Sequence, residues 1–167
     1  LWSNASIRTY VVPFAVIQET VRARTPEKLW TLMYRHLMHR IGEKFARAHG
    51  YQALITGDNL GQFASQTIQN LAVIDHQIEI PIIRPLVGFT KQEIIERAKA
   101  IGTYETSILP YEDCCTLFAP KSPANNARTH ELTHAGGDAA GASGIKPTDD
   151  FNGADQEGAG VYQVTQK

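Results

Sequence analysis

Cysteine is scarce in this sequence, which has only Cys114 and Cys115 among its 167 residues. Because the two are neighbours, they cannot join distant parts of the fold, and a disulfide framework is ruled out. No apolar run approaches the ~20 residues of a membrane-spanning helix. The first residues also lack the basic and apolar regions of a signal peptide. We therefore predict a cytoplasmic protein with no membrane partner.

Net charge is also nearly absent, at −1 by formal count. Domains that bind nucleic acid are usually basic, so the charge balance gives no indication of such a domain. An RNA partner would have to be met by a local patch or by another domain. The length allows one domain of ordinary size, and a hydrophobic content of 43% is enough for a core.

A glycine-rich phosphate loop is missing as well. Nucleotide-binding α/β domains place such a loop directly after the first strand, and no strand with such a loop precedes Tyr51. The Gly-Gly-Asp string at residues 136–138 follows no apolar strand. We therefore expect a partial domain that lacks its first strands.

Strand and helix patterns alternate along the first hundred residues. Residues 7–14, 53–56 and 80–86 have the composition of strands. Helices are predicted at residues 25–50, with Thr25 as N-cap, at 65–74, and at 90–100, where a capping box begins the helix. This alternation predicts α/β architecture, a partial Rossmann-like, doubly wound parallel sheet.

The composition changes towards the carboxyl end. Seven of the 13 glycines follow Ala135, and helical periodicity is absent there. We divide the chain into a partial adenylating-type α/β domain, residues 1–128, and a glycine-rich tail, residues 129–167, which we expect to be flexible.

Residues 54–67 (LITGDNLGQFASQT) read as a short strand, a polar loop and the start of a helix. Such a loop faces the crevice of an α/β sheet and offers N–H groups to a nucleotide. Gly57 would let a ligand approach the backbone, or it only forms the turn. Gln66 can read a base edge or be a surface residue. Asp58 is a candidate for ribose hydroxyls or magnesium, or ordinary turn chemistry.

Arg35 lies on the same side of its predicted helix as Gly42 and Ala46. The small residues leave room for close approach, and a guanidinium beside them can pair with phosphate. The alternative is a solvated arginine among neighbouring cations, and spacing alone does not decide between the two.

The adjacent thiols lie in residues 110–118 (PYEDCCTLF). A thiolate is the nucleophile, and Glu112 and Asp113 would raise its pKa unless a cation such as Arg84 compensates. A nucleotide loop together with a loop thiol indicates activation followed by sulfur transfer. Structural cysteines are the alternative.

Several separate runs resemble one family, the tRNA 4-thiouridine synthetases, in their adenylating domain. They are residues 56–62 with 64–67, 84–86, 101–104 and 110–118. The similarity covers residues 7–123 and implies a fold of the adenine nucleotide alpha-hydrolase type. The SGGxDS loop of the family, its ferredoxin-like, THUMP and rhodanese domains, and any likeness after Pro123 are missing from this sequence.

The resemblance implies a tRNA sulfurtransferase that also supplies sulfur for thiamine thiazole synthesis. ATP with Mg²⁺ would adenylate O4 of uridine 8, and a persulfide sulfur would displace AMP. The family's nucleotide contacts fall on Arg35, Gly57 and Gln66, and its sulfur-relay cysteine falls on Cys115, with Cys114 as an additional thiol. Expected partners are tRNA, held by domains absent from this chain, a cysteine desulfurase or other persulfide donor, and a second copy in a homodimer. Without the phosphate loop, we expect the chain alone to be inactive.

Residues 130–134 (HELTH) match the zinc-peptidase pattern HExxH. On a helix this spacing places two imidazoles on one face, with the glutamate as general base. A helix is poorly supported here, because Gly136 and Gly137 follow at once. A zinc metallopeptidase, another adenylating ligase of the same superfamily, and a fragment without turnover therefore remain the alternatives, and no metal ligand is assigned.

Overall fold

Ten helices and strands follow one another in the computed structural model, which describes residues 8–110, 120, 122–142 and 162–165. In chain order they are β1 (Arg8–Val11), α1 (Ala15–Arg24), α2 (Trp30–Ala48), β2 (Leu54–Ile55), α3 (Ile68–Ile74), β3 (Ile82–Ile83), α4 (Lys91–Ala100), α5 (Tyr104–Ser107), α6 (Thr129–Ala142) and β4 (Tyr162–Thr165). Two short 3-10 turns occupy Glu27–Leu29 and Ala64–Gln66. None of the helices in these ranges has the length and hydropathy to span a bilayer.

A short parallel sheet joins β2 and β3. Leu54 pairs with Ile82, and Ile55 pairs with Ile83. Helix α2 packs closely on this sheet, since a Cβ added at Gly42 would lie 3.3 Å from the side chain of Leu54. The close approach expected from the small residues of α2 is therefore confirmed. Parallel strands with packed helices form a Rossmann-like α/β fold, as predicted.

The hydrophobic core lies among helices α1, α2, α3 and α6. Its fully buried side chains include Leu32 and Met33 of α2 and Ile74 of α3. The remaining members are Val21, Leu29, Tyr34, Val73, Ala127, Leu132 and Ala135. This core fixes α2 and α3 relative to each other, and both helices border the loops that follow β2 and β3.

Helix α6 corrects the expected flexible tail over residues 129–142. Leu132 and Ala135, three residues apart, are buried in the core on one face of α6. The preceding segment is fixed by the fully buried Asn70, whose Nδ2 donates to the Ala124 carbonyl at 2.8 Å and whose Oδ1 accepts from the Ala127 N–H at 3.0 Å. Glycine content obscured this two-residue apolar face.

The helix ends follow the predicted chemistry at several points. The capping box of α4 is present, with reciprocal bonds between Thr90 and Glu93. Gly50 and Gly102 follow α2 and α4 with φ values of +73° and +74°, a conformation that favours glycine. Thr25 was predicted wrongly as an N-cap, because its hydroxyl donates to the Val21 carbonyl at the end of α1.

Two amino-terminal elements differ from the prediction. The strand expected over residues 7–14 is the shorter β1, which pairs antiparallel with β4. Helix α1 follows it, where no helix was predicted. Ile17 and Val21, spaced four residues apart, were the signal for α1, since they place two apolar side chains on one helical face.

Candidate functional site

Asp58 lies in the loop that leaves β2, with a side chain only 6% exposed. One carboxylate oxygen accepts from Arg35 Nη2 of α2. The other accepts from the Thr56 hydroxyl at 2.7 Å and from Arg84 Nε at 2.9 Å. A buried carboxylate is stable only when it is paired and hydrogen-bonded, and this loop satisfies Asp58 completely.

Arg84, just after β3, extends these contacts into an ion-pair network of Arg35, His39, Asp58, Asp75 and Arg84. Its Nη2 donates to Asp75 Oδ1 at 2.6 Å, and His39 Nδ1 lies 3.2 Å from the same oxygen. Arg35 and His39 are one turn apart on α2. The network therefore connects α2, the end of α3 and the loops after both parallel strands.

Electrostatics keep both aspartates ionised. Burial by itself would raise the pKa of Asp58, but the Thr56 hydrogen bond and the charges of Arg35 and Arg84 outweigh it and lower that pKa. Burial likewise opposes ionisation of Asp75, and the contacts with His39 and Arg84 lower its pKa. The same carboxylates raise the pKa of Arg84 despite its burial. At neutral pH the site therefore holds two cations and two anions.

Arg35 also reaches the 3-10 turn that carries Gln66. Its Nη1 lies 3.3 Å from both the carbonyl oxygen and the hydroxyl of Ser65. Gln66 was expected in the first turn of a helix, but α3 begins later, with Thr67 as its N-cap. The buried Gln66 Oε1 has no hydrogen-bond partner among the described residues. An unpaired buried acceptor is costly and requires an explanation.

Gly57 lies beside Asp58 and opens to solvent. A Cβ added there would meet no atom within 4 Å, and its φ is outside the left-handed region. Neither packing nor backbone conformation in the described structure requires glycine at this position. Arg35 thus brings the three residues implied at the nucleotide into one hydrogen-bonded region, through contacts next to Gly57 and Gln66.

Asn59 was missed by the sequence analysis, although it joins the two strand-end loops. Its Nδ2 donates to the carbonyls of Leu86, at 2.8 Å, and Phe89. The Leu60 N–H donates to the Val87 carbonyl at 3.1 Å. Arg84 was considered only as a cation near the thiols, and its strand-end position was the available signal for a role here.

The thiols and the HExxH pattern stand apart from this region in what can be described. Cys114 and Cys115 lie outside the described residues. The HELTH residues do form part of α6, but Glu131 accepts from Lys28 Nζ and from the Arg128 N–H, each at 2.9 Å. The described ranges contain no group of three or more side chains suited to a metal ion. Nothing there supports the metallopeptidase alternative.

The parallel strands, their packed helix and the polar loops at the strand ends define a Rossmann-like α/β protein with a crevice of the nucleotide-binding type. A family model described as Thiamine biosynthesis protein (ThiI) matches residues 2–139. The chain belongs to this family. The match continues past Pro123, where the expected resemblance ended, and includes most of α6.

Two curated relatives are each named as a probable tRNA sulfurtransferase. The one from Coxiella burnetii is 48% identical over 134 residues, which are 80% of this chain and 34% of that protein. The one from Thermus thermophilus is 48% identical over 122 residues, or 73% of this chain and 30% of that protein. The chain therefore spans about a third of the length of these relatives.

A solved structure extends the comparison to three dimensions. It is a crystal structure of a 4-thiouridine synthetase–RNA complex with bound ATP, and it is 38% identical to this chain, with a TM-score of 0.81. The match covers 98% of this chain and 40% of that chain.

Proposed function

We propose that this chain forms the ATP-binding part of a tRNA sulfurtransferase. Its relatives carry that name, and the similar 4-thiouridine synthetase was solved with ATP and RNA. The observation that carries the proposal within this chain is the unpaired Gln66 Oε1, beside an Arg35 that the protein holds rigidly. An amide acceptor left without a partner suits the amino group of adenine.

Arg35 and Gly57 complete the proposed nucleotide contacts. Arg35 is always charged, and its side chain remains 16% exposed, so a phosphate can pair with it. The open space at Gly57 lets a ligand reach the backbone without a clash. Asp58 holds Arg35 in place of contacting ribose or Mg²⁺, because its oxygens already accept bonds from three side chains.

The proposed reaction adenylates O4 of uridine 8, which makes that oxygen part of a leaving group. A persulfide sulfur then attacks the activated carbon, and AMP leaves, giving 4-thiouridine. We propose Cys115 as the thiol that relays this sulfur, with Cys114 as an additional thiol. The same sulfur supply would serve thiamine thiazole synthesis.

Further components of the proposal concern what the chain meets. Mg²⁺ would accompany the phosphates of ATP, since Asp58 is engaged elsewhere and the described part of the chain offers no cluster for a metal. The remaining partners are tRNA, a cysteine desulfurase or other persulfide donor, and a second copy of the protein. We propose that they meet in the cytoplasm.

The test replaces the unpaired amide in the full-length gene product. Gln66→Leu should weaken ATP binding about fivefold or more, because a hydrogen bond to the base is lost. It should leave the melting temperature unchanged or higher, since a buried unsatisfied oxygen disappears. Gln69→Leu, at an exposed position on α3, is the matched control and should change neither quantity.

Isothermal titration with ATP and thermal unfolding measure these two effects. Unchanged ATP affinity in Gln66→Leu would place the adenine elsewhere. A wild-type protein that binds no ATP would refute the proposed function itself.

A further inference from the structure

Arg84 is the one member of the ion-pair network that bonds both aspartates. Its Nε donates to Asp58 and its Nη2 donates to Asp75, so two separate nitrogens of one planar group are used. The side chain is only 13% exposed. A planar guanidinium held at two points cannot rotate without breaking a charged hydrogen bond.

The carboxylate of Asp58 is in turn the group that orients Arg35. Arg84 and Thr56 take one of its oxygens, which leaves the other aimed at Arg35 Nη2. With Ser65 at the other Nη, the Arg35 guanidinium is fixed on both sides. Without Arg84, the Asp58 carboxylate would be free to turn, and the direction of Arg35 would no longer be set.

Arg84 also affects the charge that Arg35 presents. Asp58 carries one negative charge between two guanidinium groups, so it does not neutralise Arg35 fully. The second aspartate, Asp75, is 29% exposed and on the far side of Arg84. Its charge is therefore screened by solvent more than the charge of Asp58.

We propose that Arg84 is a positioning residue for nucleotide binding, which acts through Asp58 to fix the direction and preserve the charge of the Arg35 guanidinium. The proposal rests on the proposed function, because it takes Arg35 as the phosphate contact. Arg84 itself is turned towards the two aspartates and acts on the nucleotide only through Arg35.

The first experiment measures ATP affinity of the full-length gene product by isothermal titration. Arg84→Lys keeps the charge but cannot bond two carboxylates from two nitrogens, and it should weaken ATP binding about fivefold or more. Arg47→Lys is the matched control, because Arg47 is exposed and pairs with Glu43 and Glu79 at the other end of α2. It should leave the affinity unchanged.

A double-mutant cycle with Arg35→Lys separates positioning from general stabilisation. If Arg84 acts through Arg35, then Arg84→Lys should cost little further affinity once Arg35 has been replaced. An equal loss in both backgrounds, or no loss from Arg84→Lys alone, would overturn the proposal.

A second variant and a second readout cover other outcomes. Asp75→Asn removes the outer charge on Arg84, leaves Asp58 paired, and should weaken ATP binding in the same direction but less. The guanidinium signals of Arg35 in ¹⁵N NMR without ATP should be sharp in the wild type and broadened in both variants.

These NMR signals distinguish the two levels of the argument. If the wild type binds no ATP but the Arg35 signals broaden in the variants, the proposed function fails and the positioning role stands. Unchanged Arg35 signals in Arg84→Lys overturn the positioning role, whatever the ATP affinity.

Discussion

Two buried polar side chains of the core and site, His36 and Gln66, are satisfied to different degrees. His36 Nδ1 lies 2.8 Å from the Ile74 carbonyl and links α2 to α3. Gln66 Oε1 has no such partner in the described part of the chain. A satisfied buried group stabilises the fold, whereas an unpaired one is tolerated where a ligand completes it. The contrast separates a structural residue from a proposed binding residue.

His36 makes stability depend on pH. Burial lowers its pKa from the ordinary 6.5, with the Ile74 bond opposing and nearby Arg40 adding to the effect. The folded chain therefore binds fewer protons than the unfolded chain just below pH 6.5. Stability is fully present above that pH and should fall as the pH drops towards the lowered pKa.

The expected comparison is urea unfolding of this chain between pH 7.5 and 5. His36→Asn retains a donor near the Nδ1 position and does not titrate, so its stability should depend less on pH. The difference in slope is at most about 1.4 kcal/mol per pH unit for one proton. Parallel pH profiles for the two proteins would contradict this assignment.

At the scale of the elements, the segment before α6 depends on one side chain of α3. Asn70 is fully buried and bonds both the Ala124 carbonyl and the Ala127 N–H. Asn70→Leu removes both bonds and leaves two backbone groups unsatisfied. We expect a loss of about 2–4 kcal/mol in the free energy of unfolding, measured by urea unfolding of this chain.

Asn126→Leu, at an exposed position of the same segment, is the control. Its effect should stay within about 0.5 kcal/mol, as is usual for surface substitutions. Equal losses in the two variants would show that the segment is not held through Asn70.

Local chemistry made some elements predictable and left others out of reach. The α4 capping box and the glycines that end α2 and α4 act on neighbouring residues, so the sequence sufficed for them. Helix α6 is stabilised by contacts with distant residues, such as the pair of Glu131 with Lys28, and its glycines concealed it. In the site, Arg35 was found by spacing and resemblance. Its bond to Asp58 depends on tertiary folding, which no local pattern encodes.

At the scale of the whole molecule, nucleotide chemistry and sulfur transfer fall on different segments. The proposed ATP contacts are on α2 and the loops after β2, whereas Cys114 and Cys115 lie outside the described residues. Adenylation needs ATP, tRNA and the crevice, while sulfur transfer also needs a thiol. One cysteine should therefore uncouple the two steps.

Cys115→Ser in the full-length gene product should abolish 4-thiouridine formation and retain tRNA-dependent release of AMP. Cys114→Ser should cost much less. Mass spectrometry of the nucleosides, alongside an AMP assay, measures both steps. Normal thiolation by Cys115→Ser would assign the sulfur to Cys114 or to direct delivery by the donor protein. The double variant then decides, and full activity in it would make both thiols structural.

The one-turn spacing of Arg35 and His39 on α2 has a consequence for which changes of chain length the family can accept. Each residue added to a helix rotates everything beyond it by about 100°. An insertion or deletion between these two positions would turn His39 away from Asp75 while Arg35 stayed at Asp58. Substitutions at the intervening positions preserve the spacing. Evolution can therefore vary the letters between Arg35 and His39 but not their number, and insertions should accumulate instead in segments outside this helical turn.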